Sequence, residues 1–283
     1  MFLDGQKYDL FSVEDVLWLL TTSVKVAIYD FPFEHFFSCK HPWQRPAQIT
    51  AVARIGAHTN YAQLYSALQT EGISLVHTPE EQQRCTELPF WYPLLNDLTP
   101  KSIWFSEKPT VQQIIQEFQF PIFLKGARQT SKHKKSLSII ENPEMLSTAL
   151  AEYERDPVLR WQPIVCREYV KLRPVPDEHS DKIPASFEFR TFWWKGQLVG
   201  AGRYWFEAPA YSWTETEERE ALKVAQQAAN LVSVPFLVVD IAQRMDGKWI
   251  VIEVNDGQES GYAGVSPFQL WRNILHIEQH SVG

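Results

Sequence analysis

Residues 235–261, PFLVVDIAQRMDGKWIVIEVNDGQESG, constrain the fold more than any other stretch of this chain. Two apolar, β-branched runs, Phe236–Gln243 and Lys248–Asn255, flank Asp246-Gly247, a dipeptide that favours the two-residue turn of a β-hairpin. With those residues as the turn, Met245 pairs with Lys248, and the register places Asp240 opposite Glu253. Side chains alternate across a strand, so Asp240, Glu253 and Asn255 share one face, and Leu237, Val239, Ile241, Ile252 and Val254 share the other. Two carboxylates with Cβ atoms about 5 Å apart repel, so a cation is expected between them. An all-oxygen Asp, Glu and Asn set suits Mg²⁺, which bridges protein carboxylates to phosphates; the simpler alternative is a nearby lysine or arginine. The small-residue loop Asp256–Gly261 then reads as a flexible, polar mouth, which favours the metal.

A chain of 283 residues holds one large or two modest domains. The formal charge of −7 argues against broad, sequence-independent nucleic-acid binding, which rests on a basic surface, but leaves room for a local basic patch. Cys39, Cys85 and Cys166 are far apart and lack metal-ligand spacing, as expected for reduced thiols in a cytoplasmic protein. The first residues lack the basic and apolar regions of a signal peptide, and no run reaches the ~20 apolar residues of a membrane span.

Residues 1–85 read as a small α/β unit. Ser12 caps a short helix through Leu17–Leu20, strands follow at Val24–Tyr29 and Ala51–Gly56, and helix Asn60–Gly72 leads into strand Ile73–His77. His35 and His41 are possible metal ligands without a partner cluster. Further on, Pro100 fixes the position of Lys101, and strand Phe120–Lys125 ends in Lys-Gly. A basic loop, ARQTSKHKKS, then leads to a returning strand, Leu137–Ile140. That arrangement suits a lid over phosphates, or a plain hairpin with a solvated loop. Strand Ile164–Val170 carries Glu168, and the proline-rich Leu172–Pro184 reads as a surface connector.

A second hairpin, Ala185–Phe206, turns at Lys195-Gly196 and so places Glu188 opposite Arg203, either as a structural ion pair or as part of an anion site. Arg190 shares that face without an obvious partner and is the better anion-binding candidate, since a guanidinium takes phosphate or carboxylate oxygens two at a time. Thr214–Val232 is a long amphipathic helix, and Pro267–Glu278 closes the chain as another.

These features together describe a nucleotide held between two sheets, although no GxxxxGK[ST] or GxGxxG phosphate loop occurs. Pro100-Lys101, Phe123-Leu124-Lys125, Arg167-Glu168-Tyr169, Glu188-Phe189-Arg190, Arg203, Val239-Asp240 and Ile252-Glu253-Val254-Asn255 occur in the order found in the ATP-grasp superfamily. Over residues 87–283 the chain resembles that superfamily, and most closely the clade defined by one arginine and two lysines, which holds the initiation-factor-2 assembly chaperone and proposed RNA ligases. The resemblance implies an α+β ATP-grasp fold at 86–283, two α+β subdomains gripping a nucleotide, preceded by the small α/β domain at 1–85. A lid-bearing subdomain would span 86–166 and a metal-binding one 167–283. It implies ATP and Mg²⁺ as cofactors: Lys101 and Lys125 on the phosphates, Glu168, Tyr169 and Val170 at the adenine, and Asp240, Glu253 and Asn255 on the metal. The connector Leu172–Pro184 shows no ribose-binding acid, and the lid has no glycine-rich core, both departures from the family pattern.

The leading expectation is an ATP-dependent ligase that activates a carboxylate as acyl phosphate and joins it to an amine. Lys125, Arg190 and Arg203 would act on the transferring phosphoryl group or the substrate anion. The alternatives are RNA-end ligation by nucleotidyl transfer, with the basic lid meeting RNA, and a non-ligating factor that grips a protein client. A small-molecule or peptide substrate is the first expectation, RNA or a protein client the others, and no membrane. In all three, Asp240→Asn or Glu253→Gln is expected to abolish Mg²⁺-dependent ATP binding and leave the fold intact.

Overall fold

The computed structural model describes residues 2–3, 6–22, 30–43, 45–56, 58, 60–128, 135–176 and 182–280. Three sheets follow one another along the chain. The first comprises β1 (Phe2–Leu3), β2 (Gln6–Val13), β3 (Leu17–Thr22), β4 (Cys39–Lys40), β5 (Ile49–Arg54) and, after α1 (Tyr61–Thr70), β6 (Ile73–Leu75). Its order is β1-β2-β3-β5-β6 with β4 on β2, and β3, β5 and β6 run parallel. The expected β5–α1–β6 unit is present, with Tyr61, Leu64 and Leu68 buried along one stripe of α1.

The helix expected from Ser12 to Leu20 is instead the β2–β3 hairpin. Glu14 and Asp15 take left-handed backbone at its turn, with φ of 53° and 56°. The reason is double-sided burial. Leu17 and Leu19 face one core while Leu20 and Trp18 face another, so the strand shows no polar alternation and its acidic turn imitates a helix start. The strand expected at Val24–Tyr29 lies outside the described residues.

Two helices, α2 (Pro79–Thr86) and α3 (Leu88–Leu95), connect to the second sheet, ordered β7-β10-β8-β9. It contains β7 (Ser102–Phe105), α4 (Val111–Ile115), β8 (Ile122–Gly126), α5 (Lys135–Ser138), β9 (Ile139–Ile140), α6 (Pro143–Tyr153) and β10 (Ile164–Glu168). The return from the basic loop is thus a helical turn first and a strand only at Ile139. Helices α4 and α6 pack on one face of this sheet, against Ile122, Leu124 and Cys166.

The third sheet, ordered β12-β11-β13-β14, comprises β11 (Glu188–Trp194), β12 (Gln197–Arg203), β13 (Phe236–Gln243) and β14 (Trp249–Asp256). Helix α7 (Glu215–Val232) precedes β13, and its alanine stripe packs on Leu237, Val239, Ile241, Val251 and Val254. Helix α8 (Pro267–His280) covers Phe192, Phe236 and Val238 on the other face, in a core shared with Phe11, Leu17 and Leu19 of the first sheet. That shared core seats the first sheet against the third. The connector after β10 is less of a surface loop than expected. Val175 is buried in the core, and isolated bridges tie Leu172 to Arg244 and Pro174 to Ser186.

Both functional hairpins carry a bulge. In β13–β14 the loop is three residues rather than two, with Gly247 at φ 85°, and Gln243, Ala242 and Ile241 pair with Trp249, Ile250 and Val251. An extra residue at Ile252 then shifts the register back, and Asp240 does pair with Glu253. Two offsets cancel. In β11–β12 only one offset occurs, after Phe192, so Arg203 pairs with Phe189 and not with Glu188.

Candidate functional site

A cavity of about 420 Å³ lies between the second and third sheets. The second sheet contributes Phe123 and Lys125 from β8 and Arg167 from β10, followed by Glu168, Tyr169 and Val170 where β10 ends. The third contributes Glu188, Asp240, Ile252 and Glu253, with Tyr204, Trp205 and Met245 closing the outer end. Ile252 was expected on the core side; the bulge turns it into the cavity wall.

Each of the two facing carboxylates meets a protein cation. Arg190 holds Asp240 with two parallel bonds, Nε to Oδ1 at 2.9 Å and Nη2 to Oδ2 at 2.8 Å, and its Nη1 donates to the Gly261 carbonyl at 2.8 Å. The sequence left Arg190 without a partner, because Asp240 sits fifty residues away on the neighbouring strand β13. Burial alone would lower the Arg190 pKa, but the charge and hydrogen bonds of Asp240, with Glu253 and Glu188 behind it, outweigh burial and raise it. Lys125, almost fully buried, bridges the cleft to Glu253.

The other expected residues divide. Asn255 lies next along β14, opposite Val238, and is partly buried. Arg203 leaves the shared face because of the bulge, and its guanidinium lies over the Tyr211 ring, 5.7 Å from the centroid. Glu188 accepts from Ser186 Oγ at 3.2 Å and Trp205 Nε1 at 3.0 Å rather than pairing with Arg203. Lys101 does not line the cavity; its ammonium donates to the Glu117 carbonyl at 2.9 Å and carboxylate at 3.1 Å. His41 sits between Asp9 and Glu34 at the surface, 3.5 and 3.1 Å away. The central residues of the basic loop, 129–134, lie outside the described residues.

The loop after β14, expected to be flexible, is buried and fastened by the first sheet and its following segment. Arg54 donates to the carbonyls of Gly257, Gln258 and Ser260 at 2.6, 3.2 and 2.9 Å. His77 lies fully buried beside Asp256, 3.1 Å from Nδ1 to Oδ1. The Phe236 N–H donates to His77 Nε2 at 2.9 Å, which leaves the ring proton on Nδ1, facing Asp256. With Cys85 beside it, this group resembles a triad or metal cluster, yet the thiol pKa is well above its ordinary value through burial, and the ring nitrogens are both engaged. It is a structural clasp.

Sequence reasoning missed Glu259 in that loop. Its carboxylate takes Gln82 Nε2 at 2.8 Å and Arg128 Nη2 at 3.2 Å, joining α2, the base of the basic loop and the third sheet. Burial, with the Asp256 charge, lifts its pKa from 4.5 to about 7; the Arg128 bridge opposes this but is outweighed. A folded pKa above the unfolded one stabilises the fold fully below about 4.5, and that contribution is lost as pH rises through about 7. Glu259→Gln should therefore flatten the fall in urea midpoint between roughly pH 5 and pH 8. An unchanged pH profile would show that burial does not govern this carboxyl.

Residues 126–274, more than half of the chain, match the model of an ATP-grasp domain family, the third family of the clade named for one arginine and two lysines. No curated protein gives a match. Among solved structures, the D-alanine–D-alanine ligase of Bacillus anthracis complexed with ATP is similar at a TM-score of 0.57 and 15% identity, over 81% of this chain and 79% of that one. The VanG D-Ala:D-Ser ligase of Enterococcus faecalis gives 0.56 and 16%, over 86% and 75%. A RimK domain ATP-grasp protein of Sphaerobacter thermophilus gives 0.52 and 13%, over 74% and 73%. At such identities the likeness is one of fold. It agrees with two facing sheets that enclose a cavity, the architecture that the carboxylate hairpin and the strand-end lysine require. The chain belongs to the ATP-grasp superfamily, within the third family of that clade.

Proposed function

We propose that this protein binds Mg-ATP between its second and third sheets and uses it to join a carboxylate to an amine. One observation carries the reading: Lys125 and Glu253, from opposite sheets, meet in the same cavity as Asp240 and the Glu168–Val170 segment. The solved relatives in this fold are named as ligases of D-alanine, D-serine and L-amino acids, and one was complexed with Mg and ADP.

Glu168, Tyr169 and Val170 line the adenine end, where β10 stops and leaves backbone groups free of the ladder. Lys125 turns from Glu253 to the phosphates. Asp240, Glu253 and Asn255 offer only oxygen donors, and Arg190 takes one lone pair from each Asp240 oxygen and leaves the rest, so the set fits a hard divalent cation. Bound magnesium would supply charge neutralisation on the phosphoryl oxygens. Arg190 orients Asp240 and the Gly261 backbone instead of binding the substrate anion directly.

In the reaction, a substrate carboxylate oxygen attacks the γ-phosphorus and ADP departs with the bridging electrons. The amine nitrogen then attacks the acyl carbon, loses a proton, and inorganic phosphate leaves. Incubation with α-labelled ATP, Mg²⁺ and panels of amino acids should give ADP and phosphate only when an acid and an amine are both present. AMP, or label on the protein, would replace this reading with nucleotidyl transfer. Tight binding without turnover on any pair would replace it with an assembly factor.

A further inference from the structure

The ATP-grasp resemblance leads one to expect two lysines of the second sheet at the phosphates, and only one of them faces the cavity. Lys101 precedes β7 and points away: its ammonium lies 4.9 Å from the centroid of Phe118, a residue of the core on the helix-covered face of the sheet. Its side chain is half-exposed and held by Glu117.

A different cation stands beside Lys125. Arg167 pairs with Phe123 on one neighbour and Ser102 on the other, and directly paired residues share a face, so Arg167 and Phe123 both line the cavity. Only 5% of Arg167 is exposed. Nε donates to Ser102 Oγ at 2.9 Å and Nη1 to the Ile252 carbonyl at 2.7 Å. Nη2 is buried and has no hydrogen-bond partner among the described residues. Burial lowers the Arg167 pKa to about 10, against the charge of Glu253, the largest opposing influence. No carboxylate among the described residues forms an ion pair with it. A buried guanidinium without a counter-charge is costly, and an anion in the adjoining cavity removes that cost. The planar fork of arginine, already fixed by two bonds, presents its remaining donors with little loss of freedom.

We propose that Arg167, and not Lys101, is the second cation that the phosphates of the bound nucleotide meet. The inference rests on the nucleotide reading of the cavity. A rival role is purely structural: through the Ile252 carbonyl, Arg167 also braces the bulge that aims Glu253. The two roles differ in what they do to ligands without phosphate.

Affinities of adenosine, ADP and Mg-ATP should be measured by calorimetry for the full chain and for Arg167→Met, Arg167→Lys and Lys101→Met, with thermal unfolding of each. Arg167→Met should weaken ADP and Mg-ATP by about 30-fold, the range of a charge-assisted bond, and adenosine by less than about threefold. Arg167→Lys should recover part of that loss, and Lys101→Met should stay within about threefold of the parent for every ligand. If Arg167→Met does not fold, the same phosphate-selective loss, of about fivefold or more, is required of Arg167→Lys. Equal losses for adenosine and Mg-ATP would overturn the proposal in favour of the bracing role, as would a Lys101→Met loss matching that at Arg167. A parent chain that binds no nucleotide would fail the reading of the cavity itself, and this outcome differs from a parent that binds while its variants do not discriminate.

Discussion

Asp240→Asn should lower the unfolding free energy by about 3–5 kcal/mol, because it strands a buried guanidinium. Asp240 is 1% exposed, and both of its oxygens are held by Arg190. The asparagine keeps the shape but loses the charge, and its amide nitrogen points a donor at a donor. From the sequence alone this substitution looks like the loss of one metal ligand on an intact fold. The tertiary pairing changes the expectation: binding of Mg-ATP and stability should fall together. Urea denaturation without ligand measures the second effect alone. A midpoint equal to that of the parent would mean that Arg190 finds another partner at no cost, and the pair would then not be a structural element of the third sheet. Replacing both residues by an apolar pair should recover much of the lost stability, since the cost lies in the uncompensated charge.

The second large effect concerns Lys125 and Glu253. In the ligand-free protein they neutralise each other across the cleft, with side-chain exposures of 4% and 16%. ATP arriving alone draws Lys125 to its phosphates and leaves Glu253 uncompensated; Mg²⁺ arriving alone does the converse. The two ligands are therefore expected to strengthen each other's binding, by the reciprocity of linked equilibria. Lys125→Met should weaken Mg-ATP by about 100-fold, as for a strong charge-assisted contact. Glu253→Gln should bring the affinities for ATP with and without Mg²⁺ to within about threefold of each other, and should improve metal-free binding because Lys125 is released. Calorimetric titrations with and without Mg²⁺ decide it. A Glu253→Gln protein that keeps the parent's full magnesium dependence would remove Glu253 from the metal set.

What could be read locally was read from residues whose signal lies within one element. The alanine stripe of α7, the Gly72 stop after α1, the strand-end Lys125-Gly126 and the apolar runs of β13 and β14 all carry their own period and punctuation. The order of those elements, with the motif residues that sit on them, was enough for the ATP-grasp family. Even the facing of Asp240 and Glu253 was anticipated, although by a register in which the longer turn and the bulge happened to cancel.

Tertiary structure decided what depends on neighbours far along the chain. The β2–β3 hairpin forms where a helix was expected because two separate cores bury both faces of β3. Arg190 acquires Asp240, Lys125 acquires Glu253 and the loop after β14 acquires Arg54 and His77, all across separations that no local pattern encodes. The bulges divert Arg203 and admit Ile252 to the cavity, and a bulge is set by the packing of the whole ladder rather than by the residue that bulges. The sequence by itself therefore determined which strands exist, their order and the family. Which charges meet inside the cleft was decided only when three sheets closed on one another, because an ionic partner is chosen by distance in space.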